Sequence, residues 1–423
     1  MAVPTTARPA AVPTTSTGSL RLWRSALVTV FFGAGIAVAT WVTRTPAIRD
    51  ALHATTAEMG LVIGASSVGS ITGISLGSPL VARRGARFVI VTGMSGVALG
   101  LIVMALGVLT AESVAVAIGM ALFGYGMGTG EIGNNVSGVE LEARMGHSVI
   151  PGLHGSYSLG TVIGALAGLA ANRVHLPVPV HLLVVAALIA VAAIGWVRPH
   201  VPGATGRAPE ESSGRPAAFP APDGPASPLG GGERRFAWVD RRLLGLAVII
   251  LGMALAEGSA SDWLPLIVVD GYGSSAAVGS MVFAFFGLAM AIGRLSGGRG
   301  IDRFGRAPIM RVSAVVAAAG IGVVMVAPTL WLGALGVLMW GLGCSLGFPV
   351  ALSASGEDPR HAARRAGFVA TAGYSAFLIG PPLLGFLGQR VGLRHAIGVV
   401  LVVVLATLFA AGSTRPGRWS VRA

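Results

Sequence analysis

Lysine is missing from this sequence: all thirty basic residues among its 423 are arginine. That absence excludes a Walker phosphate loop, whose lysine reaches the nucleotide, and excludes Schiff-base chemistry with retinal or pyridoxal phosphate. Energy for any work must then come from a gradient. Cysteine is nearly missing too, and the single Cys344 rules out an intrachain disulfide; its apolar surroundings suit a small buried residue. Acids number only 17, and charged residues make up 11% of the chain against 53% hydrophobic, with a mean hydropathy of +0.77. A chain so apolar, with 63 glycines, suits many closely packed membrane helices rather than a water-soluble core. No metal site, cofactor or catalytic constellation is expected. The formal charge of +13 reads as membrane topology rather than nucleic-acid binding.

Twelve apolar runs are predicted to span the bilayer: 25–43, 59–80, 88–109, 113–139, 148–171 and 176–197, then 243–266, 275–294, 308–327, 330–354, 366–389 and 396–413. Residues 1–24 read as a disordered tail, and 25–197 as a six-helix bundle. Residues 198–241 read as a flexible linker, since 198–238 hold eight of the 24 prolines. A second bundle is expected over 242–413 and a short tail over 414–423. The first run is longer than a signal-peptide core and is followed by further spans, which argues against cleavage. On this topology 24 arginines lie on one side, Arg294 ends a helix, and Arg44, Arg49, Arg173, Arg390 and Arg394 lie on the other. Both termini and the linker are therefore expected in the cytoplasm of a bacterial inner membrane.

The two halves repeat. FGYGMGTG at 123–130 aligns with WGLGCSLG at 340–347 at an offset of 217, and the same offset sets Tyr157-Ser158 on Tyr374-Ser375. An offset of 220 sets Gly85 on Gly305 and Asp50 on Asp270. A duplicated unit of six spans gives a parallel repeat about an axis along the membrane normal. The fold class is thus an all-α membrane protein, twelve transmembrane helices in two six-helix bundles.

Between two of the runs stands GRGIDRFGR, 298–306, read as a charged loop in which Gly298 and Gly305 allow a tight turn. Pro308 suits the first turn of the next helix. Asp302 faces the partial positive charge of that helix's N-terminus, with Arg303 and Arg306 as partners, so the segment can latch neighbouring helices. Its pattern, carried by Gly298, Asp302, Arg303, Gly305 and Arg306, resembles the signature loop of the major facilitator superfamily. The first-half counterpart SPLVARRGAR, 78–87, keeps Arg83 and Gly85 but has Ser78 and Ala82 for the first glycine and the aspartate, and its last arginine is shifted to Arg87. WVTRTPAIRD and AEGSASDWLP look like a poorly characterised branch near sugar-permease-like members. Drug and proton antiporters of the superfamily usually carry Gly-Pro in the fifth span; here Ala165 stands at the proline's place, and a Gly-Pro-Pro occurs instead at 380–382. The resemblance implies two bundles rocking around a central cavity.

Charged groups inside spans are costly and mark function by default. Glu131, Asn134 and Asn135 stand at i, i+3 and i+4 on a face that also carries Gly124 and Gly128. His154, Tyr157, Ser158 and Thr161 form a similar face in the fifth span. Helical rise puts Glu131 about 12 Å and His154 about 9 Å from the cytoplasmic ends of their spans, so Glu131 is expected to couple protons with His154 tuning it. A structural hydrogen bond between helices is the plainer alternative. Glu257, about 22 Å up its helix, is the rival proton or substrate group. Asn134, Asn135, Tyr157 and Tyr374 are candidate solute contacts. An Arg44–Asp262 pair is expected to close an outer gate, with interfacial anchoring by Trp41, Arg44 and Trp263 as the alternative. These readings converge on a monomeric proton-coupled transporter of a small organic solute in the lipid bilayer. An efflux antiporter, a transport-dead receptor on the same fold and, last, a membrane-embedded transferase are the other readings.

Overall fold

The computed structural model describes residues 17–147, 149–203, 205, 239–357 and 361–415. Most of the linker, the first sixteen residues, Arg418 and Arg422 lie outside the described residues. Among the described residues twelve helices form: α1 (Thr17–Ala51), α2 (Thr56–Arg84), α3 (Ala86–Leu109), α4 (Ser113–Met145), α5 (Ile150–Arg173), α6 (Val178–His200), α7 (Arg241–Tyr272), α8 (Ala276–Phe304), α9 (Arg306–Val326), α10 (Leu330–Ser355), α11 (Ala362–Val391) and α12 (Leu393–Thr414). Eleven of them are long and apolar enough to cross a bilayer. The other, α5, has 24 residues, a length of about 36 Å, and is less apolar because it carries His154, Tyr157, Asn172 and five glycines.

The halves pack on one plan. In the first, α3 packs on α4 and α6, α2 on α4, and α1 on α5; in the second, α9 packs on α10 and α12, α8 on α10, and α7 on α11. Gly85 and Gly305 occupy equivalent turns with nearly identical backbones, φ +83° and ψ 159° against φ +82° and ψ 163°. A left-handed turn of that kind favours glycine. The charged segment is therefore not a loop. α8 continues helical through Gly298, Asp302 and Arg303 to Phe304, since nothing before Gly305 breaks the hydrogen-bond ladder. Gly298 makes no turn.

Glycines set how closely the helices approach. A Cβ at Gly124 or Gly128 would collide with the Ser66 or Ser70 carbonyl of α2, and one at Gly126 with α3 at Val97. The repeat WGLGCSLG behaves differently from its first-half mate: α10 is interrupted at Ser345 and Leu346, whereas α4 runs unbroken. Trp23, Trp263 and Trp340 are fully buried, and Trp41 is 5% exposed. Interfacial anchoring by Trp41 and Trp263 is thereby excluded. Cys344 is buried, its Sγ 3.4 Å from Met290 Sδ.

The halves meet through α1 with α7 and α8, α2 with α11, and α5 with α8. At the end remote from most arginines this seam is tight. Gly60 of α2 lies against Pro381 and Gly385 of α11, where an added Cβ would come 2.8 Å from the Pro381 carbonyl oxygen and 3.0 Å from Gly385 Cα. Thr56 N–H donates to Gln389 Oε1 at 3.0 Å, and Ser67 Oγ to the Phe377 carbonyl at 2.8 Å.

Candidate functional site

A cavity of about 1020 Å³ lies between the halves. Glu131 and Asn134 of α4 and His154, Tyr157 and Ser158 of α5 line it from one side. Glu257 of α7, Arg294 of α8, and Tyr374 and Phe377 of α11 line it from the other. From this centre it extends toward the arginine-rich end, where Pro151, Ile301, Arg306 and Ser353 contribute. Most of its wall is aliphatic or aromatic, so its few polar groups decide what it recognises.

Glu131 is exposed to the cavity and has no hydrogen-bond or ion-pair partner among the described residues. Asn134 beside it is 4% exposed, and its Oδ1 is buried without a partner. Asn135 is half-buried and does not line the cavity. The stripe that faces the cavity runs through Met127, Gly130, Glu131 and Asn134, while Gly124 and Gly128 serve the contact with α2. His154 shares the cavity but no hydrogen bond with Glu131; its ring packs edge-on against Phe31 at 5.0 Å between centroids. The repeat-related tyrosines, Tyr157 and Tyr374, both reach the lining.

Opposite Glu131 stands an ion pair that spacing along the sequence does not reveal. Arg294 Nη2 is 2.8 Å from Glu257 Oε1, with the side chains 36% and 25% exposed. Arg294 does not end a helix; α8 continues for ten residues beyond it. An arginine inside an apolar run, with an acid in the run before it, was the available signal. The pair is neutral as a unit, leaving Glu131 as the carboxylate without a counter-charge.

Neither expected gating pair forms in this structure. Arg44 does not meet Asp262: its guanidinium donates to Asn172 Oδ1 at 2.5 Å and to the Leu176 carbonyl, inside the first half. Asp262 is half-buried with no partner among the described residues. The cross-half ion pair at this end is Arg49 with Asp270, and Arg49 also holds Asp50 at 2.9 Å. Asn172 adds a second tie, its Nδ2 lying 3.0 Å from Ser280 Oγ of α8. At the arginine-rich end Asp302 is exposed and unpaired among the described residues, and Arg303 stacks over Phe304 at 5.2 Å. Arg306 bonds Glu357, which also accepts from Arg242 at 2.7 Å. Among the described residues these contacts join elements of the second half, and Asp302 makes no pair with Arg303 or Arg306 in this conformation, so the latch expected there is not formed. Its sequence neighbours point along an exposed helix end, whereas Glu357 follows α10 and faces Arg306.

A twelve-helix, two-bundle membrane protein with a polar-centred cavity between its halves has the architecture of a solute transporter. The chain belongs to the Major Facilitator Superfamily, whose family model matches residues 3–147 and 152–381. It is 28% identical over 381 residues to an uncharacterized MFS-type transporter of Yersinia pestis, covering 89% of this chain and 91% of that one. It is 25% identical over 401 residues to the membrane protein MosC of Rhizobium meliloti, covering 92% and 90%. Among solved structures it shares its fold with a bacterial homolog of the human lysosomal transporter Spinster, in an inward-facing and unoccupied conformation, at TM-score 0.73, 14% identity and 95% and 98% coverage. The D-xylose-proton symporter matches at TM-score 0.67, 15% identity and 95% and 98% coverage.

Proposed function

We propose that this protein is a proton-coupled secondary transporter of a small organic solute, working by alternating access, with Glu131 as the proton-carrying group. The observation that carries this reading is the central cavity. It is closed at one end by Arg49–Asp270, Asn172–Ser280 and the Gly60–Gly385 contact, extends to the other end, and holds a carboxylate without a partner opposite a neutral ion pair. An acid inside a membrane span costs about 2.5–3.5 kcal/mol on insertion scales, so a role in coupling explains its presence better than packing does. The D-xylose-proton symporter shares the architecture, which supports proton coupling on this fold. The positive-inside rule puts the arginine-rich end in the cytoplasm, and the conformation then faces inward.

In this reading Asn134, with its buried Oδ1 unpaired, and Tyr157 and Tyr374 offer hydrogen bonds to the solute, while the apolar wall encloses it. Asn135, outside the lining, is given no solute contact. Glu257 is held by Arg294 and sets affinity. The test is solute accumulation in proteoliposomes under an imposed pH gradient. Glu131→Gln keeps the hydrogen-bonding shape but cannot titrate; it is expected to abolish uphill accumulation and spare downhill exchange. Full pH-driven accumulation by this variant would move coupling away from Glu131.

A further inference from the structure

A second pocket, of about 320 Å³, lies at the arginine-rich end of the first half, outside the central cavity. Arg84 from the end of α2, Arg87 and Phe88 from the start of α3, and Arg198 from α6 line it, with Val91 and Gly203. No carboxylate is in its lining, and none of the three arginines has an acid partner among the described residues. Its wall is held in place: Ala86 N–H donates to the Thr205 carbonyl at 2.7 Å, and Gly203 lies so close to Arg87 that a Cβ there would come 2.6 Å from Nη2. Arg84 stacks over the Phe88 ring at 5.2 Å, and that ring is 38% exposed.

The repeat shows what is missing. In the second half Glu357 neutralises Arg306 and Arg242. Its counterpart at the offset of 217 is Glu140, which instead pairs with Arg144 one turn along α4 at 2.5 Å. The first half therefore gathers three guanidinium groups with no carboxylate among the described residues to balance them, beside apolar side chains at the level where a helix enters the membrane. Arginine forks match phosphate geometry, and basic pockets between helices at the cytoplasmic face suit anionic headgroups.

We infer that the pocket formed by Arg84, Arg87 and Arg198 binds the phosphate headgroup of an anionic membrane lipid, whose chains lie along Phe88 and Val91. The site depends neither on the transported solute nor on proton coupling.

The test uses the purified full-length protein, stripped of lipid and mixed with phosphatidylglycerol, cardiolipin or phosphatidylcholine in detergent, with retained lipid counted by native mass spectrometry. Retention of the two anionic lipids over phosphatidylcholine is expected. Each of Arg84→Gln, Arg87→Gln and Arg198→Gln should weaken it about fivefold, the effect of one arginine near a charged headgroup. Arg364→Gln, which removes an exposed arginine at the same end, should not. Equal loss with Arg364→Gln, or equal retention of phosphatidylcholine, overturns the proposal. So does saturation of the site by inorganic phosphate with the affinity of the lipids, which would make the ligand a soluble phosphate. Should a variant fail to fold, the wild-type protein still decides: anionic-lipid retention must fall as salt rises, and salt-independent retention overturns the site.

Discussion

Removing Arg294 should cost more than removing both it and its partner. Arg294 and Glu257 approach to 2.8 Å, with side chains 36% and 25% exposed to the cavity. For charges about 4 Å apart, attraction is about 1 kcal/mol in water and about 4 kcal/mol at an effective dielectric of about 20. Partial exposure puts the pair between these limits, so a coupling of about 2 kcal/mol is expected. Arg294→Gln would lose this and leave two carboxylates, Glu257 and Glu131, facing one cavity; Glu257→Gln would strand the guanidinium instead. The double variant removes both charges and should recover much of either loss, as happens when a desolvated pair is deleted whole. The assay is a double-mutant cycle on unfolding free energies from detergent-denaturant titrations of the purified protein. A coupling below about 0.5 kcal/mol, the scatter of independent sites, would refute the pair as an element of the native cavity.

Three further outcomes follow from the seams and from one surface acid. Asp270→Asn removes the cross-half ion pair with Arg49; exposed pairs are worth about 0.2–1 kcal/mol, so hydrogen exchange at residues 45–52 and 266–273 should rise up to about fivefold, and unchanged exchange would remove this pair from the closure. Gly60→Val places a branched side chain where even a Cβ comes 2.8 Å from the Pro381 carbonyl oxygen; overpacking of about 1–3 kcal/mol should part α2 from α11, read as lost cross-linking between cysteines introduced at Thr56 and Gln389. Asp240 caps α7 outside the membrane: partial burial pushes its carboxyl up, but hydrogen bonds from Arg365 and Leu243 N–H and the charges of Arg365 and Arg242 outweigh this and hold it below its usual value. A depressed acid contributes stability above its unfolded-state titration, lost as pH falls through the folded one. Asp240→Asn should therefore melt below wild type at pH 7, by less than about 1 kcal/mol for a side chain so exposed, with the gap closing toward pH 3; a gap independent of pH would show the charge to be irrelevant.

Helices and repeat were legible in the sequence because hydropathy and glycine spacing are local signals. The offset of 220 that relates Gly85 to Gly305 reappears as two turns with matching φ and ψ. The charged segment was misread for an equally local reason: glycines and charges resemble a loop, yet a helix ends only where its hydrogen bonds do, and that is Gly305. Glu131, Asn134, His154, Tyr157, Glu257 and Tyr374 stood out as polar groups in apolar runs, and the structure gathers all six around one cavity. Their partners did not stand out. Glu257 finds Arg294 and Arg306 finds Glu357 only after α7 packs on α8 and α10 returns beside them. Arg44 and Asp262 fall near matching ends of the first and seventh apolar runs, which suggests a pair. Helix packing instead gives Arg44 to Asn172 of the neighbouring α5.

One pairing was present in the repeat in another form. Asp50 and Asp270 are equivalent under the offset of 220, and equivalent positions near a twofold axis lie near each other. Both acids reach a single arginine, Arg49, so the closure they form is asymmetric although the two bundles repeat one packing plan. Together with Asn172–Ser280, Thr56–Gln389 and Ser67–Phe377, it consists of a few polar contacts, each worth about 0.5–1.5 kcal/mol net, across a seam where Gly60 and Gly385 allow backbone contact. Swinging a two-state equilibrium from 1:99 to 99:1 takes about 5.5 kcal/mol. A handful of such contacts is of that order, and neutralising or reloading one intramembrane carboxylate contributes a comparable amount. The closure is thus strong enough to hold one conformation and weak enough that, under the coupling proposed above, a proton on Glu131 acting with a bound solute would reverse it.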